Sequence, residues 1–114
     1  LHWRARMKIE DLKFDVNGLI PVAVQEVETG EVLLIGFANE EALRTTFEKK
    51  LATLWSRSRG ELWTKGDTSG NRLHLEEVRY NCEENTLLYR VRLEGDAACH
   101  TGNYSCFFRT LDGE

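Results

Sequence analysis

The chain has 114 residues, of which 41% are hydrophobic, and this suffices for one modest core but not for a second domain. Its 15 lysines and arginines are outnumbered by 19 aspartates and glutamates, and the net charge of −4 argues against sequence-independent binding of nucleic acid. No apolar run approaches the roughly 18 to 20 residues that span a bilayer, so we expect one cytoplasmic domain without a membrane partner.

The beginning of the chain is unusual, because it starts with Leu1 and has its one methionine at position 7. We expect Met7 to be the native start and residues 1–6 to be an addition. Residues 1–7 also lack the apolar centre of a secretory signal. The single predicted domain covers residues 1–114, with this addition included.

Two strands joined by a turn are the first predicted elements. Residues 19–27 and 32–38 are apolar and rich in β-branched side chains, and residues 28–31, which include Gly30, lie between them. Such runs on either side of a glycine-containing turn are typical of a β-hairpin.

A helix is predicted to follow, from Asn39 to Lys50. Asn39 is a typical N-cap residue, and the glutamates at positions 40 and 41 fall in the first turn, where carboxylates interact favourably with the helix dipole. The face expected to be buried consists of Ala42, Leu43, Thr46 and Phe47.

A second hairpin is predicted near the end of the chain. Residues 86–93 alternate, with leucine, tyrosine and valine on one face and Arg90 and Arg92 on the other, and residues 75–80 form a plausible partner strand. Residues 82–85 would form the turn. Because strands dominate and one helix interrupts them, the predicted class is α+β with a small, mainly antiparallel sheet. So small a core would gain stability from dimerisation.

The segment from Trp55 to Arg59 is polar yet strand-like. In an extended chain Trp55, Arg57 and Arg59 point one way, while Ser56 and Ser58 point the other. A ring for stacking beside two guanidinium groups favours a nucleotide or sugar-phosphate site, although a solvated edge strand would show the same pattern.

The loop at residues 65–71 combines Lys65, Thr68 and Ser69 with Gly66 and Gly70. A cation, hydroxyl donors and glycines for tight turns suit an anion-binding loop. It is not a P-loop, because in that motif the lysine follows the last glycine. An ordinary surface loop has a similar composition, since turn residues cluster in loops.

Three cysteines, Cys82, Cys99 and Cys106, are an odd number for a disulfide framework. Three thiols could hold a catalytic zinc ion with one position open for water, or a closed structural zinc site with His100 as the fourth ligand. His100 could instead be a general base, since its pKa ordinarily lies nearest neutrality. Buried free cysteine is also common, and the spacing leaves these alternatives open.

Taken together, these motifs resemble the signature blocks of the phosphoribosyl-AMP cyclohydrolase family, in the family's order. The resemblance extends from residue 12 to residue 109. The blocks that carry it are residues 18–21, 39–42, 55–59, 61–63, 65–70, 99–102 and 105–107.

The resemblance implies an intertwined homodimer that hydrolyses the N1–C6 bond of the adenine ring of phosphoribosyl-AMP, in the third step of histidine biosynthesis. It implies a zinc ion held by Cys99 and Cys106 of one chain and Cys82 of its partner. Zinc-activated water would attack C6 while His100 handles the proton. The substrate carries two phosphates, and the binding residues implied are Trp55, Arg57, Ser58, Arg59, Lys65, Thr68 and Ser69. We expect Arg57 and Arg59 to bind one phosphate and the Lys65 loop the other.

The chain departs from the family pattern at its magnesium site. The family's site looks like Asp-Cys-Asp-x-Asp, whereas this chain has Asn81, Glu83 and Asn85 around Cys82. Magnesium prefers charged oxygen ligands, so we expect it to bind weakly, to use other residues such as Glu84, or to be dispensable. The departure leaves two alternatives to the enzyme: a zinc-binding regulatory dimer without activity, or a paralogue that acts on another purine nucleotide.

Overall fold

Two hairpins and one helix form the frame of the molecule. The computed structural model describes residues 6–113, so the prediction about residues 1–6 lies outside the described residues except for Arg6. A short 3-10 turn at Ile9–Asp11 comes before the strands and the helix. In chain order these are β1 (Ile20–Glu26), β2 (Val32–Ala38), α1 (Glu40–Lys49), β3 (Thr53–Ser56), β4 (Glu61–Thr64), β5 (Leu73–Tyr80) and β6 (Leu87–Leu93).

The main sheet has the strand order β2-β1-β6-β5. Strands β1 and β2 pair antiparallel, as do β5 and β6, so both predicted hairpins are confirmed. Strands β1 and β6 pair in parallel, which makes the sheet mixed. A parallel pair needs a long crossover, and the segment with α1, β3 and β4 provides it. The predicted α+β class with a mainly antiparallel sheet is therefore confirmed, with one parallel pair.

The helix begins as predicted, because the Asn39 side chain accepts a hydrogen bond from the Ala42 N–H at 2.8 Å. Leu43 and Thr46 are fully buried, and Thr46 Oγ1 accepts the N–H of Thr53 at 2.9 Å, which ties the helix to β3. Phe47 was expected on the buried face but is 40% exposed, because it lies at the edge of that face.

The core lies between the helix and one face of the main sheet. Its largest fully buried side chain is Tyr89 of β6, whose hydroxyl lies 3.4 Å from Thr46 Oγ1. Burial raises the pKa of Tyr89 to about 12, so the phenol stays protonated. No helix among residues 6–113 is long and apolar enough to cross a membrane.

Strands β3 and β4 form a separate two-stranded sheet. The extended segment predicted to reach Arg59 ends at Ser56, and residues 57–60 form a turn closed by a bond from the Gly60 N–H to the Ser56 carbonyl at 2.8 Å. The expectation that Trp55, Arg57 and Arg59 point the same way was therefore wrong. The turn reverses the chain before Arg59 is reached.

Candidate functional site

A cavity of about 460 Å³ lies between the β3–β4 hairpin, the loop after β4 and the loop after β6. Its volume falls within the range of small-molecule sites, roughly 300 to 1,000 Å³. The residues predicted from the sequence that line it are Arg59, Lys65, Thr68, Ser69, Cys99 and His100. The structure thus brings the basic loop and one of the three thiols to the same cavity.

Gly66 lets the basic loop fold tightly on itself, and Gly95 lets the start of the loop after β6 approach it. Gly66 and Gly95 have φ angles of +87° and +97°, and a Cβ atom on either would lie within 3.0 Å of Asn71. L-residues rarely adopt such φ angles. Asn71 thereby joins the loop at residues 65–71 to the start of the loop after β6.

The Cys99 thiol is the best defined group in the cavity. It is buried and accepts a hydrogen bond from the Thr101 hydroxyl at 3.0 Å. This hydroxyl, followed by the Thr101 backbone N–H, lowers the pKa of Cys99, and Cys106 and the Lys65 ammonium contribute further. Desolvation raises the pKa of Cys106, and its neighbour Cys99 raises it further. Cys99 is therefore the first of this pair to become a thiolate, the form that binds metals.

We expect Thr101→Val to raise the pKa of Cys99, because the hydroxyl that stabilises the thiolate is lost. The metal-free variant should then be alkylated at Cys99 more slowly at neutral pH, with its rate profile shifted to higher pH. Peptide mass spectrometry after timed alkylation measures this rate at each cysteine. Thr45→Val on α1 is the control, and an unchanged profile at Cys99 would show that Thr101 does not control its ionisation.

His100 follows Cys99 directly and lines the same cavity with an exposed side chain. Within residues 6–113, no three His, Cys, Asp or Glu side chains form a group that could hold a metal ion. The closed site considered above, with three cysteines and His100, is therefore not formed within the described part of one chain. His100 is placed where it can exchange a proton with a molecule in the cavity.

Cys82 and the other two thiols lie on opposite sides of β6 in the chain order. Cys82 is exposed in the β5–β6 turn, just before β6, whereas Cys99 and Cys106 follow the end of that strand. A strand of seven residues spans about 23 Å. The three thiols do not form one group within residues 6–113, and Cys106 donates its N–H to the Leu33 carbonyl on β2.

Asn81 and Asn85, at the expected magnesium positions, bind each other. Asn81 Oδ1 accepts the N–H groups of Asn85 and Thr86, both at 2.9 Å, and the Asn81 amide donates to Asn85 Oδ1 at 2.7 Å. Both amide oxygens are thus already hydrogen-bonded within the turn, and Glu83 is exposed. This arrangement does not fit a hard dication, which needs several free oxygen ligands, preferably charged.

Trp55 and Arg57 belong to a different cavity, of about 310 Å³. It is lined by Asn17, Leu19, Asn39, Trp55 and Arg57. The Arg57 guanidinium lies 3.9 Å from the centroid of the Phe37 ring, a cation–π contact. Ser58 is exposed in the turn and has its hydroxyl 3.4 Å from that of Ser56. Arg57 and Arg59 therefore line separate cavities, contrary to the single phosphate site expected for them.

Two residues of the site were not predicted from the sequence: Thr101, whose hydroxyl lowers the pKa of Cys99, and Trp63, whose ring lies 5.0 Å from the Lys65 ammonium nitrogen. Thr101 lies two residues after Cys99, a predicted metal ligand, and this spacing could have indicated a hydroxyl that contacts the thiol. Trp63 belongs to the block at residues 61–63, which carried the family resemblance but was given no predicted function.

A small α+β fold that places a cationic loop, an imidazole and the Cys99 thiol around one open cavity defines the class: a small-molecule-binding domain with groups for acid–base chemistry. The family model for phosphoribosyl-AMP cyclohydrolase matches residues 34–108. The chain therefore belongs to the phosphoribosyl-AMP cyclohydrolase family, as the sequence motifs predicted.

Individual relatives agree with the family match. The chain is 54% identical over 104 residues to the phosphoribosyl-AMP cyclohydrolase of Archaeoglobus fulgidus, covering 91% of this chain and 95% of the relative. It is 50% identical over 107 residues to that of Chlorobaculum tepidum, covering 93% and 77%. It is 49% identical over 106 residues to the histidine biosynthesis bifunctional protein HisIE of Caldanaerobacter subterraneus, covering 93% of this chain and 51% of that protein.

Proposed function

We propose that this chain hydrolyses the N1–C6 bond of the adenine ring of phosphoribosyl-AMP, in the third step of histidine biosynthesis. The observation that carries the proposal is the family match over residues 34–108, which includes the cavity residues. The cavity offers cations for phosphate, the Cys99 thiol for a metal ion and an imidazole for proton transfer.

The residues that would hold zinc are Cys99 and Cys106 of one chain with Cys82 of a second copy. The paired thiols fit a soft metal ion, since thiolate is a preferred zinc ligand and Cys99 ionises readily. Zinc bound by three protein ligands lowers the pKa of a water molecule to about 7, so that hydroxide is available near neutrality.

A second copy is part of the proposal because the three thiols do not form one group within residues 6–113 of a single chain. The chain also exposes several large apolar side chains, and exposed apolar surface is typical of protein interfaces. These include Ile35, Phe107, Phe108 and Leu111. We propose that two copies form a homodimer in which each thiol pair meets the other chain's Cys82.

His100 is the group we propose for proton transfer. Its imidazole would accept a proton from the attacking water and return one to N1 as the N1–C6 bond breaks. The atoms balance for the ring in its neutral imine form: the water oxygen becomes the carboxamide oxygen at C6, one water hydrogen goes to N1, and the other goes to the exocyclic nitrogen on C6 and completes the carboxamide. The exposed position of His100 on the cavity wall allows this contact.

The two phosphates are assigned to two cationic groups. Lys65, Thr68 and Ser69 line the cavity with Arg59, so we place one phosphate there. Arg57 beside Trp55 in the other cavity is the proposed group for the second phosphate. Ser58 stays a predicted contact in the turn that connects the two regions.

The test is an assay of the purified, zinc-loaded protein on phosphoribosyl-AMP, followed by the absorbance change on ring opening. We expect turnover, and no turnover by a folded Cys99→Ser variant. A folded, zinc-loaded dimer without activity would refute the proposal and support the regulatory dimer, the alternative that the Asn81–Asn85 departure favours. Turnover of another purine nucleotide alone would support the diverged paralogue.

Activity is expected without added Mg²⁺, because the Asn81–Asn85 hydrogen bond holds the turn closed without a cation. In the double variant Asn81→Asp, Asn85→Asp, two carboxylates replace the hydrogen-bonded amides. The carboxylates repel each other, and a bound Mg²⁺ ion would relieve this repulsion. Titrating Mg²⁺ into zinc-loaded protein should change the rate of the unmodified chain less than about twofold, and should activate the double variant.

Zinc content should be equal in both proteins, since soft thiolate and hard carboxylate ligands serve different metals. Glu83→Gln is the matched control, because it removes a charge beside Cys82 and leaves the amide pair intact. Saturation of the unmodified protein by micromolar Mg²⁺ would contradict the prediction and would show that Glu83, Glu84 or another carboxylate completes a magnesium site.

A further inference from the structure

Glu26 is a buried carboxylate at a position where an apolar side chain is expected. It ends β1 on the inward face that begins with Ile20, Val22 and Val24, and it is 7% exposed. Burying a carboxylate is unfavourable unless hydrogen bonds compensate for the lost water. The hydrogen-bond donors around the Glu26 carboxylate therefore show which parts of the chain it holds in place.

The two oxygens of Glu26 bind the two ends of the loop that carries Cys99. Oε1 accepts a hydrogen bond from the Tyr104 hydroxyl, and Oε2 accepts one from the Leu93 N–H at 3.2 Å. Leu93 is the last residue of β6, and Tyr104 lies two residues before Cys106. The Glu26 side chain thus joins the two ends of the segment from residue 93 to residue 104.

Backbone contacts connect Tyr104 to both thiols. The Tyr104 carbonyl accepts the Ala98 N–H at 3.1 Å, directly before Cys99. The Cys106 N–H donates to the Leu33 carbonyl at 2.8 Å, and the Ser105 hydroxyl donates to the Val32 carbonyl at 2.7 Å. Among residues 94–113 no helix or strand supports this region, so these bonds, together with that from the Cys99 N–H to the Asn103 carbonyl at 3.1 Å, position the thiols.

We infer that Glu26 and Tyr104 are positioning residues for the thiol pair: the buried carboxylate holds the loop so that Cys99 and Cys106 are arranged for a metal ion before it binds. This inference rests on the zinc site of the proposed function. Groups that orient metal ligands without touching the metal typically change its affinity about 10- to 100-fold when they are removed.

A series of variants separates this role from ordinary packing. Tyr104→Phe keeps the ring and removes the hydroxyl, which also lies 2.6 Å from Thr29 Oγ1, so Thr29→Val is the control for that second bond. Glu26→Leu removes both accepting oxygens without leaving a buried charge. Glu26→Gln is the conservative variant, since its carbonyl can accept the Leu93 N–H while its amide donates to the Tyr104 oxygen. Tyr80→Phe in β5 is the matched control, because that tyrosine is also partly buried but lies outside the loop.

Zinc affinity of the dimer is measured by competition with a chelator, and the geometry of the site by the visible spectrum after loading with Co²⁺. We expect Tyr104→Phe and Glu26→Leu to weaken zinc binding about 10- to 100-fold and to alter the Co²⁺ spectrum. Glu26→Gln and Tyr80→Phe should resemble the unmodified protein. The zinc-free variants should lose some melting temperature, because Tyr104→Phe takes a hydrogen bond from the buried Glu26 carboxylate and Glu26→Leu takes the acceptor from the Leu93 N–H. The Co²⁺ spectrum separates the two roles, since a packing role alone would leave it unchanged.

Hydrogen exchange in the metal-free protein provides a measurement that does not depend on zinc. The Cys106 amide, which donates to Leu33, should exchange faster in Tyr104→Phe than in Tyr80→Phe. Unchanged exchange, or zinc binding by Tyr104→Phe and Glu26→Leu equal to that of the unmodified protein, would overturn the inference. Failure of the unmodified protein to bind zinc would instead overturn the metal site of the proposed function, and the exchange rates would still decide the role of Tyr104.

Discussion

Co-expression of two inactive variants, Cys82→Ser and Cys99→Ser, is expected to restore about a quarter of the unmodified activity, as a symmetric dimer with shared sites requires. Each variant alone should be inactive, because every site lacks one thiol. In a mixed dimer one site combines an intact Cys82 with an intact pair of Cys99 and Cys106, while the other site carries both defects. Half of the dimers are mixed, so one site in four is complete.

The matched control is co-expression of Cys99→Ser with Cys106→Ser. Both substitutions affect the thiol pair of their own chain, so no mixed dimer contains a complete site. Zinc content, measured by elemental analysis, should follow activity in both mixtures. If the first mixture remained as inactive as the control, Cys82 of a second chain would not be a ligand, and the shared zinc site would have to be abandoned.

Loss of the Lys65 ammonium is expected to give the largest effect on substrate binding. A hydrogen bond to a charged group contributes about 1.5 to 3 kcal/mol, so Lys65→Ala should raise KM roughly 10- to 100-fold. Lys65 lies in the cavity beside Cys99, and its charge helps to lower the pKa of that thiol, so kcat should fall as well. Steady-state kinetics with phosphoribosyl-AMP measure both constants.

Arg57→Ala tests the second phosphate separately. It should raise KM with little change in kcat, because Arg57 lies in the other cavity, away from the thiols. The melting temperature should stay nearly unchanged, since an exposed side chain adds little stability. Lys49→Ala on the helix surface is the control for loss of a positive charge. If Arg57→Ala instead unfolds the protein while its folded fraction binds normally, the contact with Phe37 is structural.

Much of the fold could be predicted because its signals are local. The alternation in β1 and β6, the glycine at position 30 and the N-cap Asn39 each act within a few residues, and the structure has the predicted hairpins and helix. The parallel pairing of β1 with β6 could not be predicted in this way. It joins segments more than 60 residues apart, and a strand's own pattern does not specify its neighbour.

By itself, the amino-acid sequence determined the chemical groups of the candidate site: three thiols, an imidazole, the basic loop with Lys65 and the amides that replace carboxylates at 81 and 85. Those are properties of residue type and spacing, and they carried the family resemblance. Only the tertiary structure decided which groups meet. The turn after Ser56 sends Arg57 and Arg59 to separate cavities, the three thiols do not form one group within residues 6–113, and burial on β1 gives Glu26 its partners. The physical reason is that such distances depend on where strands end and how they pair, which contacts remote in the chain determine.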